Sequence, residues 1–561
     1  MQRLAVLVLV TLLWSWPCSA GVNFTVSVDP AVAGGKPLAG RLIVSLIRKG
    51  SSVPPDVSPN DAPFWDDPQP MYGMNVTGLT PTSPVTLDDH ADAFEAALGK
   101  LAPGEYAAAA RLIVNRESSN WRQDAGNLFS PTVTFTVAEG APVAVALRLN
   151  AATKAREWPG DPRESGGAQL VEVRSKILSE FHGRDVMLRA GVVFPLAFDP
   201  TKPYAAVYIV PGFGGTHFDA IDEARRRSRL ARPGAVKADA PERLLAAFTF
   251  AVVLDPESPN GHTLFADSAN NGPWARALVE ELIPAIEAKY PLARTPQGRL
   301  LRGHSSGGWS TLWLALTHPE TFGATWSSSP DPVDFRRLQL VDIEGQKNMF
   351  TVKSAAAAAP ERSFPDAPRF DRADATVGTP AAPGYEVAIA SFRRDGRALM
   401  TIRQENAGER VLGPDQTSGQ QWASWQAVWG PRVGERGWGK GHPAALYDAV
   451  TGVIDPKVAE EFRAFDIGRM VRSDPAKYLP LLRERARIIV GDQDNFFLNE
   501  AVSLLKADLE RLNADGKARS GPGYITIVPG CDHSTIFESA AMRAVDGEIM
   551  EHVKHANLIP N

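Results

Sequence analysis

Cysteine is nearly absent from this chain: Cys18 and Cys531 are the only two in 561 residues. Cys18 falls in a leader described below, so a mature chain would retain Cys531 alone and could form no internal disulfide. Its stability must come from burial, which a chain of this length can supply. A strong charge of either sign is also missing. Lys and Arg number 59 against 64 Asp and Glu, a formal net charge of −5, so there is no basic footprint for nucleic acid or an anionic membrane. Local basic clusters such as Arg225-Arg226-Arg227 read as a solvated helix face. His-Glu-x-x-His is absent, and no Gly-Lys-Ser/Thr ending follows a glycine-rich loop. Neither a metal nor a cofactor is expected. Past the first twenty residues no apolar run is long enough to span a bilayer.

Those twenty residues differ in kind. Arg3 precedes an apolar run from Leu4 to Leu13, and Cys18-Ser19-Ala20 ends in small residues. This pattern predicts a secretory signal (residues 1–20) cleaved after Ala20, giving a soluble secreted or periplasmic protein. Lipid attachment at Cys18 is the lesser alternative, because Trp16 and Pro17 suit it poorly.

From Val22 to Asn150 short alternating runs are broken by Pro, Gly and Asp. Val22–Asp29, Arg41–Arg48, Gly104–Val114, Thr132–Val137 and Val143–Leu149 read as strands. With no long amphipathic helix between them, residues 21–150 predict two antiparallel sheets packed as an immunoglobulin-like sandwich. Residues 151–168, rich in Pro and Gly, read as a linker. Residues 169–561 then alternate short apolar runs with helical periodicity. Val207–Val210, Phe248–Leu254, Arg299–Arg302, Ala324–Trp326, Arg487–Val490 and Tyr524–Val528 suit strands buried on both faces. Trp274–Tyr290, Trp309–Leu316 and Glu500–Leu512 suit helices. An α/β domain with a mostly parallel sheet and helices on both faces follows. Residues from about 338 to 478 exceed any ordinary connection and read as an insertion over the sheet. It carries the alanine run Ala355–Ala359 and four nearby tryptophans, Trp422, Trp425, Trp429 and Trp438. These are either the core of a small cap or a ligand clamp.

The chemistry centres on Gly303-His304-Ser305-Ser306-Gly307-Gly308, between an expected strand and an expected helix. A serine hydroxyl is a weak nucleophile and must be exposed to a base and to a substrate carbonyl. A tight strand-to-helix turn does this, with small residues on either side because the backbone is crowded. Gly303 and Gly307 occupy those places, which selects Ser305 over Ser306. The acid should follow a later buried strand, and Asp492 and Asp494 both follow Ile488–Gly491. Asp494 is preferred, because the loop must turn at Gly491 before it can aim a carboxylate. The base should follow the last strand, where His533 is the best placed; His552 and His555 lie in a terminal helix. The oxyanion needs backbone donors. The amide of Ser306 and one from Phe213 or Gly214, in the loop Pro211-Gly212-Phe213-Gly214-Gly215, are the candidates. Cys531, two residues from His533, lacks neighbours that would favour a thiolate and reads as packing.

These residues carry a resemblance. From about Val171 to Leu558 the chain resembles the putative-esterase (esterase D-like) branch of α/β-hydrolases, which includes formylglutathione hydrolases, feruloyl and siderophore esterases and mycolyltransferases. The matching stretches are Pro211–Gly215, Asn271-Gly272-Pro273-Trp274 with Glu280, Gly303–Gly308, Gly491–Leu498 and Asp532-His533. Ser327-Ser328-Ser329-Pro330-Asp331 resembles the segment these proteins carry after the nucleophile helix. The resemblance implies a serine esterase and places the acid at Asp494. The long insertion and the added N-terminal region depart from the family pattern, so the resemblance does not name the ester. The expected activity is hydrolysis of a small-molecule or polymer-linked ester by Ser305, Asp494 and His533. Acyl transfer by the same triad, a peptidase, and a non-catalytic binder working through the sandwich are the alternatives, and the oligomeric state is left open.

Overall fold

The computed structural model describes residues 21–351, 389–392, 398–514 and 525–559. The expected leader and the Ala355–Ala359 run lie outside the described residues. The chain packs as two compact units. One comprises the residues up to Leu112 with Leu128–Ala151, and the other Ile113–Asn127 with Ala152 onward.

The first unit is all β. In Val22–Val28 the residues Val22, Phe24, Val26 and Val28 are buried while Asn23 and Thr25 face out, the two-residue period of a half-buried strand. It lies between Val85–Leu87 and Val143–Leu149 in a three-stranded sheet. A seven-stranded sheet includes Leu38–Arg48, Met71–Leu79 and Gly104–Ile113. The inner faces share one core, with Phe24, Val26 and Leu147 from the first sheet and Leu42, Val44 and Tyr106 from the second. One pairing departs from the expected antiparallel pattern: Val22–Val28 runs parallel to Val143–Leu149. A parallel pair needs a long connection, and here the rest of the unit supplies it.

The expectation that residues 21–150 form one sandwich also needs correction at Ile113–Asn127, which packs with the second unit. Within that unit the Ser119 N–H donates to Glu257 Oε2 at 2.6 Å, Gln420 Nε2 donates to the Ser119 carbonyl at 3.0 Å, and Arg116 Nη2 donates to the Leu412 carbonyl at 3.0 Å. No apolar periodicity marks such polar anchors in the sequence.

The second unit is built on eight strands: β1 (Gln169–Arg174), β2 (Met187–Val193), β3 (Ala205–Val210), β4 (Thr249–Leu254), β5 (Arg299–His304), β6 (Ala324–Ser328), β7 (Ala486–Gly491) and β8 (Ile525–Val528). Their order across the sheet is β1-β2-β4-β3-β5-β6-β7-β8. β2 is antiparallel to both its neighbours, and every pair from β4 to β8 is parallel. Side chains of β3 alternate between two cores. Ala206, Tyr208 and Val210 pack with Trp274, Leu278 and Ile286, whereas Ala205 and Val207 pack with Leu245, Val545 and Ile549. A further core joins Ile488 and Val490 of β7 to Leu312 and Leu316 of α1 (Ser306–Thr317) and to Leu505. Helices therefore cover both faces of a mostly parallel sheet, the α/β-hydrolase architecture. Because β3, β5, β7 and β8 point the same way, the segments that follow them converge at one edge of the sheet.

Between β6 and β7 lie α2 (Ile402–Leu412) and α3 (Gln421–Trp429), in the region read as an insertion. Trp422, Trp425 and Trp429 stand at i, i+3 and i+7 of α3, one face of a helix. They are 2 %, 2 % and 0 % exposed and join the core that holds Trp309, Phe335 and Phe462.

Candidate active site

The turn after β5 is the first part of the site. Ser305 holds φ 58° and ψ −125°, and α1 begins at the next residue. A non-glycine residue at positive φ costs on the order of 1–3 kcal/mol and persists only where its surroundings impose it. Here the Ser305 N–H donates to the Ser328 carbonyl at 3.0 Å, and its own carbonyl accepts from Trp309 N–H at 3.0 Å and Asp331 N–H at 3.2 Å. The flanking glycines are steric necessities. A Cβ on Gly303 would sit 2.1 Å from the Gly307 carbonyl oxygen, and one on Gly307 would sit 2.0 Å from that of Val210. The outcome is a half-exposed Ser305 beside a fully buried Ser306.

The residues expected as acid and base come from the segments after β7 and β8. Asp494 is fully buried, and its Oδ2 lies 2.8 Å from His533 Nδ1. Its Oδ1 accepts from the Phe496 N–H at 3.0 Å. An ionised carboxylate can only accept, so Nδ1 of His533 carries the proton and the Nε2 lone pair is free for a substrate proton. Burial opposes the His533 cation, but the charge and hydrogen bond of Asp494, with the charges of Asp331 and Asp532, outweigh it and raise the imidazole above its ordinary value. Asp494 itself is destabilised by burial, yet His533 and the Phe496 N–H hold it below the usual carboxylate value. Asp492 has another job: its Oδ1 accepts from the Gly530 N–H at 2.7 Å, tying the two loops together.

His533 is packed by aromatic rings, edge-on to Phe496 at 5.0 Å and 4.5 Å from the ring of His304, the residue before Ser305. Burial and the nearby His533 push His304 down to about 3, so it stays neutral. Among the described residues no hydrogen bond joins Ser305 Oγ to His533, a bond that in ligand-free sites is often long and tightens with substrate bound. Burial and the charges of Asp492, Asp532 and Glu538 raise the Cys531 thiol, which keeps it protonated and unreactive.

The loop after β3 lies against the Ser305 turn. A Cβ built on Gly212 would be 3.4 Å from Ser305 Cβ and 3.2 Å from the His304 carbonyl oxygen. The Gly215 N–H closes the loop on the Gly212 carbonyl at 3.0 Å, with Gly214 at φ 79° between them. This places Phe213 and Gly214 at the tip of a tight turn beside Ser305. Ser306 opens α1, where backbone N–H groups have no intrahelical acceptor. His262, which sequence reasoning missed, anchors the loop. Burial lowers it to about 4, so it is neutral; its Nε2 lies 3.0 Å from the Pro211 carbonyl and its Nδ1 accepts from the Leu264 N–H at 3.0 Å. Only a long-range contact identifies this residue, and no local pattern predicts it.

The tryptophans depart from the clamp reading. Trp422, Trp425 and Trp429 are core residues: Trp425 stacks on Trp429 at 5.5 Å, and Trp309 lies 5.6 Å from Trp429. Trp438 stacks on His182 at 3.5 Å, with Arg184 4.7 Å from its ring centre. It lines a polar cavity of about 530 Å³ with Gly214, Thr216 and Asp255. The insertion reaches the Ser305–Ser306 turn through other atoms. Gln421 Nε2 lies 3.3 Å from both Ser306 Oγ and Asp331 Oδ2, and Trp425 Nε1 donates to Asp331 Oδ2 at 2.6 Å.

Over residues 189–450 the sequence matches the family model described as Putative esterase. The match takes in the Pro211–Gly215 loop and Ser305 and ends before Asp494 and His533. No curated protein matches the sequence. Solved structures similar to this chain include a ferulic acid esterase at 13 % identity, covering 69 % of this chain and 98 % of its own, with a TM-score of 0.35. Another is an S-formylglutathione hydrolase from Agrobacterium tumefaciens at 13 % identity, covering 69 % of this chain and 94 % of its own, with a TM-score of 0.32. A third is a fluorophosphonate-binding serine hydrolase of Staphylococcus aureus at 12 % identity, covering 68 % and 98 %, with a TM-score of 0.33. Over residues 189–450 the chain thus resembles the Putative esterase family.

Proposed function

We propose that the protein is an exported serine esterase that hydrolyses a carboxylic ester through an acyl-Ser305 intermediate. The observation that carries this reading is the buried Asp494–His533 pair, 2.8 Å apart, set beside the strained turn that presents Ser305. Ser305 Oγ attacks the ester carbonyl while His533 Nε2 takes its proton. The tetrahedral oxyanion receives the amides of Ser306 and of Phe213 or Gly214. Collapse expels the alcohol, which takes the proton from His533, and leaves the acyl group on Ser305. A water then repeats the sequence and releases the acid. Asp494 keeps the imidazole in the right tautomer and favours its cation without taking the proton. The oxyanion donors are amide dipoles fixed before the charge develops, so they need no reorganisation in the reaction. Export rests on the pattern of residues 1–20.

Incubation with a fluorophosphonate should label the protein once, at Ser305, as read by peptide mass. The labelled protein should lose hydrolysis of a panel of acetyl, feruloyl and lipid esters. Ser305→Ala should abolish both labelling and turnover, with turnover falling by at least roughly 10⁴-fold. Labelling that persists in this variant, or a tenth of the native rate, would move the nucleophile elsewhere. Export is read separately, by the N-terminal sequence of protein recovered outside the cytoplasm.

A further inference from the structure

We infer that Asp331 is a positioning residue of the active site, clasping the Ser305–Ser306 turn to the helix α3 of the insertion; the inference rests on Ser305 being the nucleophile. Asp331 follows β6 and is 1 % exposed. Its Oδ2 gathers donors from two distant parts of the chain. Ser306 Oγ donates at 2.7 Å, Trp425 Nε1 at 2.6 Å and Gln421 Nε2 at 3.3 Å. Its main-chain N–H donates to the Ser305 carbonyl at 3.2 Å. One residue thus holds Ser305 through its backbone and Ser306 through its carboxylate. Ser306 bears the amide proposed to meet the oxyanion, so a shift of this clasp would swing that donor off line. Misplacing a donor or reacting atom by an ångström can cost on the order of 10²-fold in rate.

The choice of a carboxylate is itself informative. Three donors to one oxygen could be satisfied by a neutral amide without the cost of burying a charge. No lysine or arginine pairs with Asp331 among the described residues. A negative charge at this point is useful where a cation forms nearby, and His533 must become one during turnover. Burial pushes Asp331 up to about 6, with the Trp425 and Ser306 hydrogen bonds acting against that rise. Above that value it is ionised, and its charge adds to those of Asp494 and Asp532 in favouring protonated His533. His304, packed on the His533 ring, is neutral and does not offset it.

Asp331→Asn keeps the shape and removes the charge. We expect it to stay folded and to react with a fluorophosphonate, with kcat down about threefold, the counterpart of the lost charge, and KM within about twofold of native. The acid limb of its kcat/KM profile should move to lower pH by about half a unit, because the imidazolium loses a nearby anion. Ser306→Ala and Trp425→Phe each remove one donor from the carboxylate and make it harder to ionise, so each should move the limb the same way. These two variants carry the test if Asp331→Asn does not fold. A lowered kcat with an unmoved limb in all folded variants would leave Asp331 as a structural clip and overturn the inference. Native kinetics in Asp331→Asn would overturn it outright. Ser305→Ala is run alongside: if it alone is inactive and Asp331→Asn behaves as native, this inference fails while the nucleophile assignment stands.

Discussion

His533 Nδ1 and Asp494 Oδ2 meet at 2.8 Å across the segments that follow β7 and β8, and the carboxylate has no exposure to solvent. Two residues earlier, Asp492 faces the same pair of loops but takes the Gly530 N–H instead. On the proposed mechanism the two aspartates therefore separate chemistry from loop closure. Asp494→Asn can present an N–H to the imidazole and stabilise the wrong tautomer, and kcat should fall by about 10⁴-fold. Asp492→Asn keeps an oxygen for Gly530 and should retain kcat within about tenfold, with a stability loss of about 1 kcal/mol. Turnover and unfolding midpoints of the two variants decide this. The reverse ranking would make Asp492 the acid.

The pH dependence follows from the same pair. His533 must be neutral to act as base, and its folded value lies above the ordinary 6.5. As pH falls through that raised value it gains a proton, so kcat/KM should decline with a midpoint above 6.5. Stability has the opposite sense on this side. The contribution of a raised histidine is fully present below its unfolded value and fades as pH rises through the folded one. Asp494, held below its ordinary 3.8, contributes above that value and loses its contribution as pH falls through the depressed one. The pair therefore stabilises the fold most between the two ordinary values, where the enzyme is already losing activity. Profiles of kcat/KM and of thermal midpoint against pH test this; an acid limb centred below 6.5 would contradict the electrostatics described here.

The flanks of the nucleophile give a prediction about backbone space. Gly303→Ala and Gly307→Ala each force a methyl group to about 2 Å from a carbonyl oxygen held by the sheet or the helix. Neither obstruction is the movable end of a side chain. Each variant should lose about 1–3 kcal/mol or more of stability, measured by denaturant unfolding, and a nearly complete loss of phosphonate labelling should accompany it. Native labelling in either variant would mean that the turn opens more easily than its packing indicates.

Much of this was legible because the signals were local. Strands such as β3 and β5 are short apolar runs buried on both faces, and alternation exposed Val22–Val28 as a strand. The segments after β5, β7 and β8 could be ordered because chain order and strand position suffice. β1 and β2 escaped notice: Gln169–Arg174, at the edge of the sheet, mixes arginine and glutamate with apolar residues, and the apolar run of Met187–Val193 is interrupted by Arg189 and Gly191. Asp331, His262 and the Ile113–Asn127 excursion also escaped a functional or structural assignment. Each is defined by partners 25 to 301 residues away, and spacing along the chain carries no trace of such contacts. The tryptophans were visible in number but not in role. The i, i+3, i+7 spacing of Trp422, Trp425 and Trp429 is that of a core face, the first of the two readings their clustering in sequence left open.

That geometry changes what those tryptophans should do when replaced. Trp429 is wholly buried among Trp309, Trp425 and Phe335, and truncating such a ring leaves a cavity worth about 3–5 kcal/mol. Trp429→Ala should therefore lower the unfolding midpoint strongly and reduce activity on large and small esters alike, in step with the fraction folded. Gln421 is different: it is half-buried and reaches the Ser306 hydroxyl from the insertion. Replacing it with Ala removes a polar side chain beside the proposed oxyanion site with little loss of core. The expected result is a near-native midpoint and a changed ratio of kcat/KM between large and small esters, of the order of 1–3 kcal/mol in discrimination. The comparison needs both variants assayed on the same ester pair at a temperature where each is folded. Selective loss in Trp429→Ala with no change in Gln421→Ala would return the specificity role to the tryptophan face and remove it from the start of α3.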